Sequence, residues 1–203
     1  MGNEVQALLS AVIQILFFTL LPFIWWLVTA RRKSPFLEWI GLKPLKETGS
    51  QKTWLWILLG SIFFLVFSIF VLYTIRNLET AMSRFSGLGF KALPAILIYS
   101  IFQTALPEEI LFRGFLLKRL ASRLPFRVAN TLQAALFGLL HGLMFASQTS
   151  WLTSMLIILF TGGIAAYLGF VNEKKSDGSI LSSWGTHALA NIFAGLCSAF
   201  MLI

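Results

Sequence analysis

Charged side chains are scarce in this sequence. Asp, Glu, Lys and Arg make up 12% of its 203 residues, against about a quarter in soluble globular domains. Hydrophobic residues make up 57%. That leaves too little polar surface to coat a water-soluble fold, and a soluble domain is excluded. There is a single cysteine, Cys197, in a strongly apolar segment. One thiol excludes a disulfide framework and any Cys-based metal motif, so Cys197 is read as a small buried hydrophobe. No basic leader precedes the first apolar run and no convincing small-residue cleavage signature follows it. That run is therefore expected to stay in the mature protein and not to leave as a signal peptide. The chain has neither a repeat on the order of 20 to 50 residues nor a low-complexity tract.

Long apolar runs are what the chain has instead. At about 20 residues per membrane-crossing helix, its length allows six or seven. The runs fall at about 5–29, 54–75, 92 through Arg113, 128–146, 151–171 and 180 to the end. The first ends in Trp25 and Trp26 and then Arg31, Arg32 and Lys33, an interfacial aromatic pair with a cationic stop. Between the first two, Pro35, Gly41, Pro44 and Gly49 mark a surface loop, in which Phe36, Leu37, Trp39, Ile40 and Leu42 form a short amphipathic stretch suited to the membrane surface. The fold class predicted is all-α: a polytopic transmembrane bundle of about six spans, with seven or eight helices if interfacial ones are counted, in one membrane domain. Residues 1–91 hold two spans and their loops; 92–203 hold the polar residues of interest.

The excess of 16 basic over 8 acidic residues, a net charge of +8, would suggest nucleic-acid binding in a soluble protein. In a membrane protein it reflects cationic cytoplasmic loops, and no nucleic-acid partner is expected. The loops after spans one, three and five hold thirteen Lys and Arg residues, from Arg31, Arg32, Lys33, Lys43, Lys46 and Lys52 through Arg113, Lys118, Arg119, Arg123 and Arg127 to Lys174 and Lys175. Only Arg76, Arg84 and Lys91 follow spans two and four. This bias predicts basic loops in the cytoplasm and both termini outside, in a bacterial-type plasma or internal membrane.

An acid inside an apolar span costs about 2.5–3.5 kcal/mol even on lenient scales and points to function. Glu108 and Glu109 are two such residues in succession. Neighbours on a helix point about 100° apart, so the pair is expected to divide its roles. Arg113 lies four residues past Glu109, on its face, which assigns Glu109 to Arg113 and leaves Glu108 for chemistry. Both histidines also fall in apolar spans: His141, and His187 with Asn191 one turn further on. Phe137 lies on His141's face, and Gly114, Gly138, Gly142 and Gly185 are candidates for close helix approach.

Converging these side chains builds one site with two open chemistries. In one, Glu108 is general base on a water that His141 helps to orient, while His187 and Asn191 donate to a developing oxyanion. In the other, Glu108, His141 and His187 bind a divalent ion such as zinc that acidifies its water. No organic cofactor is called for. A transporter is the weaker reading, because Gln103, Gln133 and the other polar residues are too scattered to draw a path.

Glu108-Glu109-Ile110-Leu111-Phe112-Arg113 resembles an EExxxR motif, Phe137 to His141 an FxxxH motif, and His187 to Asn191 an HxxxN motif. Their order is similar to that of the CAAX-prenyl-protease and bacteriocin-processing family of intramembrane metalloproteases, also called the Abi family, from about Leu97 to the C-terminus. The resemblance implies a helical core, 92–203, with a catalytic site below the membrane surface and accessible from the cytoplasm. It implies Glu108 as catalytic carboxylate, His141 as its partner on water or metal, and His187 and Asn191 completing the site, with Glu109 and Arg113 structural or substrate-orienting. The function expected is cleavage of a membrane-associated protein or peptide near the cytoplasmic face. The alternative is a catalytically silent member that binds membrane proteins as an assembly or immunity factor.

Overall fold

A computed structural model of the chain describes residues 3–45 and 50–203, and the side chains of 4–45 and 53–203. Of the loop residues named above, Lys46 and Gly49 lie outside the described residues, as does the side chain of Lys52. Among the described residues every regular element is a helix: α1 (Asn3–Thr29), α2 (Phe36–Trp39), α3 (Ser50–Thr74), α4 (Gly89–Ala121), α5 (Phe126–Phe145), α6 (Trp151–Lys175) and α7 (Leu181–Ala199). The predicted boundaries fall within about four residues of these, except that the third span, read through Arg113, continues as α4 to Ala121. Five helices, all but α2 and α7, are long and apolar enough to cross a membrane. α1 and α3 turn large apolar side chains outward, among them Phe17, Val28, Phe63 and Val66. Such a surface needs a bilayer over it, and the chain is an integral membrane protein.

The sixth predicted span, α7, falls short on composition and not on length. Its 19 residues reach roughly 28 Å at 1.5 Å each, close to the hydrocarbon thickness. Ser182, Ser183 and Thr186 are buried in it, because α7 packs against α3, α4 and α6 and turns its polar residues toward them and not toward lipid.

α4 is one helix with two wide segments. Tyr99–Ala105 and Ile110–Leu117 are π-helical and flank the short α-helical stretch Leu106–Glu109. Pro107 has no N–H to give to the turn before it, and its ring would crowd the carbonyl four residues back. Widening the helix relieves both, and the two glutamates sit between the widened turns. The indole of Trp184 on α7 donates to the Ile101 carbonyl at 2.8 Å, inside the first of them.

α5 and α6 run antiparallel at close range. A Cβ on Gly138 would lie 2.5 Å from the Ile158 carbonyl oxygen, and one on Gly142 would lie 2.2 Å from the Ile158 side chain. Gln133 and Asn130 donate across the same interface to the Ala165 and Ala166 carbonyls. Gly114 likewise admits Ile40, whereas Gly185 faces open space and plays no such part.

Two expectations change at the end that carries the basic loops. The stretch 36–42 does more than lie on the surface: Ile40 is fully buried with Ile110 and Ile180 and plugs the bundle. Arg113, counted among the loop cations, lies fully buried within α4.

The glycine contacts carry a test. Gly138→Ala is expected to lower stability in detergent by about 1–3 kcal/mol through overpacking against backbone. Gly163→Ala, with nothing within 4 Å of the added carbon, is expected to be neutral. Thermal unfolding of the two variants checks this; equal midpoints would remove the close α5–α6 approach.

Candidate active site

The site is built from α4, α5 and α7 around the buried carboxylate of Glu109. Arg113 Nη1 stands 3.1 Å from Glu109 Oε1, both side chains fully buried. The guanidinium nitrogens make no aligned hydrogen bond among the described residues, so this is a contact of charges. The guanidinium carbon lies 4.5 Å from the centre of the Phe137 ring. α7 supplies Glu109's hydrogen bonds: Ser183 Oγ donates to Oε2 at 2.5 Å, and His187 Nδ1 lies 3.0 Å from Oε1. Ser183 in turn accepts from Asn172 Nδ2 at 2.7 Å, and Asn172 Oδ1 accepts from Ser182. An ionised carboxylate only accepts, so His187 carries its ring proton on Nδ1.

Glu108 points elsewhere, as successive helical residues must. Its Oε2 lies 3.9 Å from His141 Nε2 and 3.8 Å from His187 Nε2, with no hydrogen-bond partner among the described residues. His141 is held from behind. Its Nδ1 lies 2.9 Å from the Phe137 carbonyl, and its ring stacks on Phe137 at 4.2 Å. Phe137 thus touches both halves of the site, stacked on His141 and under the Arg113 guanidinium. Asn191 Nδ2 donates to Thr104 Oγ1 at 2.9 Å, and Thr104 in turn bonds the Tyr99 carbonyl at 3.1 Å.

Glu108, Arg113, His141, His187 and Asn191 line one cavity of about 300 Å³, at the lower end of the range for small-molecule sites. Beyond these groups its walls are mainly apolar, with Phe64, Val71, Ile157, Phe160 and Ile164 among them. All six predicted site residues therefore gather in one place, five on the cavity and Glu109 directly behind it. Sequence reasoning missed Ser183, Thr104 and Asn172. A signal was present for two of them: Ser183 precedes His187 by four residues and Thr104 precedes Glu108 by four, each on the face of the residue already chosen.

Neutral imidazole nitrogens and a carboxylate are the donor types that zinc takes. Ligands at about 2.1 Å around a tetrahedral ion lie roughly 3.4 Å from one another, and the separations of 3.8 and 3.9 Å are wider. Among the described residues no three His, Cys, Asp or Glu side chains converge as an ion's ligands do. The side chains as they stand do not form a metal cage.

The chain is thus a helical membrane bundle that holds two adjacent carboxylates and two histidines around an internal cavity. The chain belongs to the family described as type II CAAX prenyl endopeptidase Rce1-like, whose model matches residues 90–193, and its function is of the CAAX-type intramembrane protease kind. The matched stretch contains all three motifs. Neither a curated protein nor a solved structure matches the chain.

The two glutamates should separate in a stability measurement. Glu109→Gln leaves Arg113 buried beside a neutral group and is expected to cost about 3–5 kcal/mol, whereas Glu108→Gln should leave the unfolding midpoint near that of the wild type. Thermal unfolding in detergent checks both, and a reversed order would overturn the division of roles.

Proposed function

We propose that the chain is an endopeptidase that hydrolyses a peptide bond in a membrane-embedded or membrane-associated protein, using water activated by Glu108. The observation that supports it most is the approach of Glu108 Oε2 to two imidazole Nε2 atoms inside a cavity. Gaps of 3.9 and 3.8 Å are too long for direct hydrogen bonds. They suit a water oxygen about 2.8 Å from each group. His141 Nδ1 faces a carbonyl and carries the ring proton, so Nε2 offers a lone pair. The water donates one hydrogen to His141 Nε2 and the other to Glu108.

Glu108 takes its proton as the water oxygen attacks the scissile carbonyl; a C–O bond forms and the carbonyl electron pair moves to oxygen. Asn191 keeps a second Nδ2 hydrogen free of Thr104 and donates it to this oxyanion. His187, held by its Nδ1 on Glu109, turns Nε2 toward the same water. When the C–N bond breaks, Glu108 returns its proton to the departing amine, leaving a carboxyl, an amine and the restored carboxylate. No step runs through a metal. The family name does not carry a prenyl group over to the substrate, since substrate follows the site and not the fold.

Incubation of the detergent-purified protein with membrane peptides tests this. Glu108→Ala and His141→Ala are each expected to lower kcat/KM by roughly 100- to 10,000-fold, and a chelator should leave the wild type unchanged. Equal cleavage by wild type and both variants would remove the site. Activity lost to chelator and restored by zinc would replace the glutamate mechanism with the metal one.

A further inference from the structure

A second cavity, of about 390 Å³, lies between the first turns of α1 and the start of α4. It is separate from the catalytic cavity: among the described residues only Tyr99 lines both. Glu4, Ser10, Arg84, Lys91 and Gln103 bring polar groups to it, and Phe85, Leu88 and Ala95 are among its apolar walls. Little of this polarity serves the protein itself. Arg84 Nε donates to the Ala81 carbonyl at 2.9 Å, and its guanidinium carbon lies 4.2 Å from the centre of the Tyr99 ring. A guanidinium laid on a ring keeps N–H groups at its edge for an anion. Among the described residues the side chains of Glu4, Ser10, Lys91 and Gln103 make no hydrogen bond or ion pair.

For Glu4 and Lys91, exposed where their spans begin, water is partner enough. Gln103, about three turns past Lys91 on α4, has no such recourse. It is 9% exposed, and its Oε1 is sealed from the cleft and from any donor among the described residues. Its Nε2 is therefore the amide atom that meets the cleft, and no described group accepts from it. A donor so placed costs stability unless an acceptor is brought down to it.

The spans of α1 and α4 begin side by side, at Glu4 and Gly89, so the cleft covers the depth at which phospholipid headgroups and glycerol esters lie. Leu88 on its wall is 47% exposed, and Val5 and Leu8 of α1 are exposed as well, an apolar surface for the acyl chains of a bound lipid. The charges at the span starts are of both signs, Arg84 and Lys91 against Glu4. A simple anion would leave the carboxylate unmatched, whereas a zwitterion matches all three. We propose that the cleft binds an ethanolamine phospholipid, with its phosphate on Arg84 and Lys91, its primary ammonium on Glu4, and an ester carbonyl accepting from Gln103 Nε2. A primary ammonium donates hydrogen bonds to a carboxylate; a quaternary one has none to donate. The site stands independently of the proteolytic reading.

Lipid titration of the detergent-purified protein, read by native mass spectrometry, tests this. Dioleoyl ethanolamine, choline and glycerol phospholipids are added one at a time, with free phosphoethanolamine as a competitor in a fourth arm. Wild type is expected to bind the ethanolamine lipid most tightly, and free phosphoethanolamine at equal concentration to leave it bound. Arg84→Ala with Lys91→Ala is expected to weaken that lipid by about tenfold or more, as the loss of charge-assisted contacts requires. Lys91→Gln breaks no contact within the protein, and its weaker binding guards against a misfolded double variant. Glu4→Gln should abolish the preference over the glycerol lipid. Gln103→Leu should unfold no earlier than wild type without lipid, yet be stabilised less by it. Glu108→Ala, in the other cavity, should bind as wild type does. Wild-type affinity in both the double variant and Lys91→Gln, equal affinity for the three lipids, or displacement by free phosphoethanolamine would overturn the proposal.

Discussion

A carboxylate with no exposure in the middle of an apolar bundle sets the terms for everything around it. Glu109 loses its hydration entirely, and only charge and donors from the protein can compensate. Its own helix provides Arg113 one turn later, and α7 provides Ser183 and His187, one turn apart. Glu109 meets two α7 residues one turn apart, and Trp184 and Asn191 of α7 bond Ile101 and Thr104 on α4, so the two helices have a single register. A slip of one turn along α7 would take from the buried carboxylate its Ser183 and His187 hydrogen bonds. From that register follows the rest of the site. Glu108 is turned off the α4–α7 seam into the cavity, and His187, tied by Nδ1 to the seam, has only Nε2 left to offer there.

The second constraint is steric. His141 reaches Glu108 from α5, a helix whose position is set by its close packing on α6 at Gly138 and Gly142. Phe137 joins the two constraints, since the same ring lies under Arg113 and against His141. The π-helical turns of α4 serve the same end around Pro107, because a helix widened on both sides of the glutamates can absorb the missing donor without a sharp kink. Packing therefore separates a filled, polar-clamped region around Glu109 from a hollow, mainly apolar one in front of Glu108.

Much of this was legible in the sequence. Five spans follow from apolar runs that no soluble fold could hide, and the division between Glu109 and Glu108 follows from the spacing to Arg113. α7 was legible by its position and its histidine but not by hydropathy, because its serines and threonine look like surface residues until a neighbour is found for them. Ser183 and Thr104 were missed for the same reason. A hydroxyl in a membrane helix is ordinarily satisfied by the carbonyl one turn back, and only the approach of Glu109 or Asn191 gives it another task. Ile40 was read as interfacial because a short amphipathic stretch has the same pattern whether its apolar side meets lipid or the end of a bundle.

By itself the sequence determined that the chain lives in a membrane, which loops carry the cations, and which ionisable residues sit where hydrocarbon would reject them, because these depend on composition and on spacing along one helix. The tertiary structure decided which side chains meet, that Phe137 and Ser183 hold the polar groups in place, and where the cavity lies. Those depend on the rotation and depth of one helix against another, and such quantities are set by packing between segments that the linear order keeps far apart.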